Sequence, residues 1–255
     1  MLAYLQMRKQ PVVTTGELTG PLRLTRLQER ELFRRMSRGG LIARVRPGLY
    51  LVPQRLPLGG SWSPDEALAL DTLMKDRRGR YQICGPNAFN RYGFDEQVPT
   101  RVYAYNNRIS GERTVGSVAL TLIKVADERL GDTNEVGTSD GMIAVYSSRV
   151  RTLVDAVYDW SRFNSLPRAY DWIRAELAAG RITADELIRV TLCYGDIGTI
   201  RRIAALLTRI GVSSAQARRL GQALKPTTSV IPRIPTRRKR GTVDYSWGVV
   251  WNESG

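Results

Sequence analysis

The chain has 255 residues, 42% hydrophobic and 25% charged, with a formal net charge of +15 and a pI near 10.4. It contains no histidine and two cysteines, Cys84 and Cys193. That inventory excludes Ser-His-Asp and Cys-His catalysis, a histidine general base, histidine-ligated metals and a structural zinc site. We therefore expect neither catalytic residues nor a metal or cofactor.

The charge is unevenly distributed. Residues 1–56 carry eleven Lys/Arg against three Asp/Glu, residues 57–217 are nearly balanced, and residues 218–241 carry eight Lys/Arg and no acid. Basic ends around a neutral middle point to a polyanionic partner. No run of eighteen apolar residues is present and the first residues lack a signal-peptide layout, so no membrane span or secretion is expected. The cysteines lack CxxC spacing and read as buried thiols of a cytoplasmic protein.

In chain order, Leu2 to Arg8 reads as a short amphipathic helix ended by Gln10-Pro11, and Val12-Val13 as a short strand or turn. Thr14 to Leu18 reads as a capped helix, and Gly20 to Leu24, including Arg23, as a turn. Thr25 with Gln28 three residues on is a capping-box pattern that starts a helix running to about Arg38, where Gly39-Gly40 stops it. At 100° per residue Leu32, Phe33 and Met36 form its core face, while Arg26, Arg30, Arg34 and Arg38 sweep the other side. Ile42 to Arg46 alternates, with Arg44 and Arg46 on one face. Pro47-Gly48 suits a type II turn, and Leu49 to Val52 returns as a second strand with Tyr50 in its core.

A capped, arginine-faced helix followed by a basic hairpin describes a winged helix-turn-helix, with the helix in a major groove and the wing along the backbone. Arg26, Arg30 and Arg34 are candidates for groove and phosphate contacts, with Arg23, Arg38 and the helix-start pair Thr25 and Gln28 beside them. Arginine at a base edge prefers guanine, and one bidentate pair is worth roughly 1–3 kcal/mol of discrimination. Arg44 and Arg46 are expected to hold phosphates or enter a minor groove.

Gln54 to Gly60 is a Pro/Gly linker, dividing a DNA-binding domain of residues 1–56 from a second domain of residues 61–255. There, Ser63-Pro64-Asp65-Glu66 opens a helix to about Lys75, with Pro64 at N1. Arg80 to Cys84 is a strand and Gly85 to Phe94 a short helix. Thr100 to Tyr105 and Ser117 to Val125 should pair around a loop at 106–116, and Gly141 to Tyr146 is another strand. Helices follow at 148–160, 166–179, 184–193, 197–210 and 213–224, with Thr183 and Ser213 as caps. Lys225 to Arg240 is a Pro-rich basic loop, and Thr242 to Trp251 a closing strand. Arg237, Arg238, Lys239 and Arg240 are a second DNA contact, a solvated loop or an acid-binding surface. The fold class is thus α+β: a winged helix-turn-helix, then a mixed domain with a helical second half.

Val12 to Leu18, Gly40 to Tyr50, Gly85-Pro86-Asn87-Ala88, Gln97 to Tyr103, Ser148 to Asp155, Arg218 to Gly221 and Trp247 to Asn252 occur in an order that resembles AbiEi-type antitoxins. The resemblance spans nearly the whole chain. It implies an antitoxin of a bacterial abortive-infection (toxin–antitoxin) system. Such a protein binds inverted repeats in its own promoter, represses that operon and counters a nucleotidyltransferase toxin. An inverted repeat would require self-association on double-stranded DNA or two monomers binding cooperatively.

Two other readings stay open. One is a one-component winged-helix regulator with a small-molecule effector. The other is a metal-dependent nuclease or a phosphotransferase, using Asp65-Glu66, or Asp132 with Glu135 and Asp140. Arg151 and Asp155, four apart on one helix, read as an intrahelical ion pair.

Overall fold

The computed structural model describes residues 1–55, 60–138 and 141–252 of a mixed α+β chain. It forms two compact units, each discontinuous in sequence. The first takes 1–83, 99–130 and 135–146, and the second 84–98, 131–134 and the chain from 147 onward. The division expected over 54–60 does not coincide with this one, and residues 56–59 lie outside the described residues. The physical reason lies in the hairpin: Ala43 and Leu51 are buried in the same core as the elements that follow.

The first unit opens with helix α1 (Leu2–Met7), strand β1 (Val12–Thr14), helix α2 (Arg26–Arg38) and strands β2 (Ala43–Arg46) and β3 (Leu49–Leu51). The strands form an antiparallel sheet in the order β1-β3-β2. Leu5, Val13, Leu18, Phe33, Met36, Ile42, Tyr50 and Val52 close a small core, with Phe33 stacked on Tyr50 at 4.7 Å. The turn between β2 and β3 requires Gly48, whose φ of +82° is left-handed and suits the second central position of a type II turn.

The helix expected over Thr14 to Leu18 does not form, and residues 15–23 are a succession of turns. Its backbone donors have other partners. Glu29, buried on α2, accepts the Gly16 N–H at 2.6 Å and the Leu18 N–H at 2.9 Å. Gly16 at φ +107° and Arg23 at φ +50° also leave right-handed helical geometry.

Helix α3 (Glu66–Asp76) starts two residues later than expected. Its cap is Asp65, whose carboxylate accepts the Ala67 N–H at 2.7 Å, rather than Ser63. Strands β4 (Tyr81–Ile83), β5 (Val102–Asn106), β6 (Gly111–Val115), β7 (Val118–Lys124), β8 (Thr133–Gly137) and β9 (Ile143–Ser147) form a six-stranded sheet ordered β6-β7-β5-β4-β9-β8. The expected pair, β5 and β7, is present but parallel, and the presumed loop between them contains β6. The Asn106 side chain accepts the backbone N–H groups of Arg108 and Ile109 and so redirects the chain after β5. Gly116, at φ +63°, then turns β6 into β7. A Cβ there would sit 2.9 Å from Pro64 and 3.0 Å from Ala43.

The second unit is largely helical: α4 (Gly85–Arg91), α5 (Arg149–Tyr158), α6 (Trp160–Phe163), α7 (Arg168–Ala178), α8 (Ala184–Tyr194), α9 (Ile197–Ile210) and α10 (Ser214–Gln222). Thr183 with Glu186 and Ser213 with Gln216 form complete capping boxes. Arg151 and Asp155 pair at 2.9 Å as the spacing implied, but fully buried, with the Arg151 guanidinium 3.9 Å from the Tyr194 ring centre. The closing strand is a hairpin, β11 (Thr242–Asp244) with β12 (Val249–Trp251). Within the basic loop Ile231–Pro232 adds a third, short strand, β10, parallel to β12. Cys84 is buried as expected, whereas Cys193 is exposed.

Candidate nucleic-acid interface

The capping box at the start of α2 forms in full. Thr25 accepts the Gln28 N–H, and the Gln28 Oε1 accepts the Thr25 N–H at 2.8 Å. This fixes where the helix begins and therefore where each later arginine points. Along its buried edge run Glu29, Phe33 and Met36, while Leu32 is half-buried. Arg26, Arg30, Arg34, Arg35 and Arg38 are all exposed.

Arg30, Arg34 and Arg38 meet Arg44 of β2 around one concavity of about 570 Å³ between the helix and the hairpin. Its walls are completed by hydroxyls of Thr15 and Ser37 and by the hairpin turn at Pro47 and Gly48, with Tyr50 beside them. None of these lining residues is acidic. Four arginine side chains around a space of this size make it strongly basic, and guanidinium groups can form paired hydrogen bonds with phosphate or carboxylate oxygens. Glu31 lies beside it, bonded to Arg34 at 2.8 Å. That hydrogen bond holds the Glu31 carboxyl below its ordinary range and raises Arg34. Both side chains are exposed, so the pair is weak.

Arg46 departs from expectation. The pairing of β2 with β3 shifts register between Arg44 and Arg46. Arg46 instead makes a bidentate pair with Asp76 at the end of α3, at 2.6 and 2.8 Å, and also donates to the Pro47 carbonyl. The pair lowers the Asp76 carboxyl and raises Arg46. Arg46 anchors the hairpin rather than lining the concavity. Arg23 and Arg26 are exposed but do not line it, and the Oε1 of Gln28 is occupied by the cap.

Arg237, Arg238, Lys239 and Arg240 belong to the second unit and are exposed. Their loop is held by the buried Asn252, whose amide donates to the carbonyls of Ile234 and Arg238 at 2.9 and 3.1 Å. Beside it, Arg233 is buried between the rings of Tyr170 and Trp251, at 4.1 and 4.6 Å, and burial pushes its guanidinium down to about 10.

Sequence reasoning missed Glu29, Thr15, Ser37 and Asp76. Ser37 was the most accessible of these, since it falls one turn after Arg34 and two after Arg30. Two of the acidic residues considered for metal chemistry, Asp65 and Asp132, have other partners. Asp65 caps α3, Asp132 accepts from Ser148 and pairs with Arg189 at 2.6 Å, Glu135 lies exposed on β8, and Asp140 falls outside the described residues. Among the described residues no group of three or more His, Cys, Asp or Glu side chains is placed to hold a metal ion. Among them, too, no helix is long and apolar enough to cross a membrane.

No protein-family model matches this chain, and no curated protein matches it. Its fold resembles the crystal structure of the RV2827C protein from Mycobacterium tuberculosis, with a TM-score of 0.60 at 15% identity over 97% of this chain and 88% of that one. At that identity the likeness extends to the fold alone.

Proposed function

We propose that this chain is a sequence-specific DNA-binding antitoxin of the AbiEi type, which represses its own operon and counters a nucleotidyltransferase toxin. Its first fifty-two residues act as a winged helix in which a turn-rich loop, tied to Glu29, replaces the usual second helix. The observation that carries this reading is the convergence of Arg30, Arg34, Arg38 and Arg44 on one acid-free concavity between α2 and the β2–β3 hairpin. In this reading α2 enters a major groove, Arg26 and Arg30 near its start meet base edges, and Arg34, Arg38 and Arg44 neutralise phosphates. Arg23 adds a backbone contact, and the basic loop at 237–240 is a DNA-contacting candidate of the second unit in its own right. The antitoxin half of the reading rests on the ordered motifs described above. It places the protein in the cytoplasm beside its toxin, with two copies on an inverted repeat.

The test is a gel shift on the DNA immediately upstream of the chain's own gene, with circular dichroism as the folding control. The wild type should bind with affinity that falls steeply with salt, by a log–log slope of about 0.9 per phosphate neutralised. The double variant Arg30→Ala/Arg34→Ala should lose the shift with an unchanged dichroism spectrum. Unchanged affinity would remove α2 from the recognition role.

A further inference from the structure

The exposed face of α2 carries one apolar side chain, Leu27, which is 78% exposed in the second position of the helix. An isolated exposed leucine is ordinary on a protein surface; the position of this one is not. At 100° per residue it points away from the buried edge of Glu29, Phe33 and Met36, into the sector shared by Arg30, Arg34 and Arg38. Phe33 and Met36 already fill the core beneath the helix, and Leu27 adds nothing to it.

The neighbouring groups narrow what Leu27 meets. Gln28 is excluded as a bidentate adenine reader, because its Oε1 is held by the Thr25 N–H at 2.8 Å and the Thr25 hydroxyl at 3.1 Å. The first turns of α2 thus offer a groove two guanidinium groups, from Arg26 and Arg30, and one branched aliphatic tip. Guanidinium groups select guanine O6 and N7. The apolar feature a major groove presents is the C5-methyl of thymine. The surrounding positive charge matches a duplex and opposes an uncharged apolar partner.

Resting on the DNA-binding reading above, we propose that Leu27 is a specificity-determining residue that packs against a thymine methyl in the target site.

The experiment separates this inference from the reading beneath it. Duplexes are selected from a random library with the full chain. Each thymine of the selected sequence is then replaced by uracil, which removes the methyl and nothing else. At one position in each recognised site, uracil should weaken wild-type binding roughly three- to five-fold, the effect of one buried methyl. In Leu27→Ala, which removes an exposed side chain and should leave the dichroism unchanged, the same replacement should have no effect. A wild type that enriches no sequence overturns the DNA-binding reading and this inference with it. A wild type that binds but tolerates uracil everywhere overturns this inference alone. So does an equal uracil penalty in wild type and variant, or a change only in bound stoichiometry, which a second copy seated on Leu27 would produce.

Discussion

Replacing Glu29 with alanine withdraws a buried carboxylate from two backbone donors and so tests whether one residue of α2 holds the loop that precedes it. The two donors differ in what they lose. Leu18 is 1% exposed, so its N–H is left unpaired out of reach of water, at about 1–3 kcal/mol. Gly16 is exposed, and water can replace most of its bond, leaving a loss of about 1 kcal/mol. Together the change should cost about 2–4 kcal/mol, or a fall in melting temperature of roughly 5–15 °C for a chain of this size. Glu29→Gln should be nearly as damaging, since its amide keeps one acceptor but turns an NH2 group toward the second backbone N–H. Urea and thermal melts of the three proteins measure the stability. Because Thr15 on the tethered loop lines the arginine concavity, a gel shift well below the melting temperature should also show weakened binding. A Glu29→Ala protein that melts within a degree of the wild type would refute the tether, as would a neutral Glu29→Gln.

Two further outcomes follow from the ion pairs. Arg44→Ala should weaken DNA binding about tenfold, the loss of one charge-assisted contact, whereas Arg46→Ala, whose guanidinium is committed to Asp76, should change it less than about twofold. Equal losses in a gel shift at fixed salt would show that Arg46 leaves Asp76 to bind DNA. In the second unit, burial raises the Glu176 carboxyl, but hydrogen bonds from Arg181 and Arg149 outweigh it and hold the group below its ordinary value. Its stabilisation is therefore complete above the ordinary carboxylate range and lost as pH falls through the lowered value. Glu176→Gln should lose less melting temperature than the wild type between about pH 7 and about pH 3; a larger loss in the variant would contradict this.

Local signals were legible where they are self-contained. The capping box at Thr25 and the caps at Thr183 and Ser213 need residues only three apart, and all three form. The turn chemistry of Pro47-Gly48 likewise places the hairpin correctly. What escaped was set by residues distant in the chain. Glu29 reads as one more charge on a polar helix, and only the return of the Gly16–Leu18 backbone shows why it is buried. Arg46 alternates with Arg44 in sequence, but its direction is decided by Asp76, thirty residues on. Strand β6 carries Glu112, Arg113 and Thr114 on an exposed sheet edge, so it lacks the apolar alternation that marks β5 and β7. Parallel pairing of those two could not be inferred without it.

The way the chain shuttles between its two compact units bears on how it can be made and cut. It passes from one to the other at 83–84, 98–99, 130–131, 134–135 and 146–147. No single stop codon therefore yields the first unit whole without also including pieces of the second. During synthesis the first unit stays incomplete until the strand ending near residue 147 has emerged. Severing the first fifty-two residues would also strip Ala43 and Leu51 from the larger core of the first unit, so the arginine-bearing end is built into that unit and is not a detachable appendage.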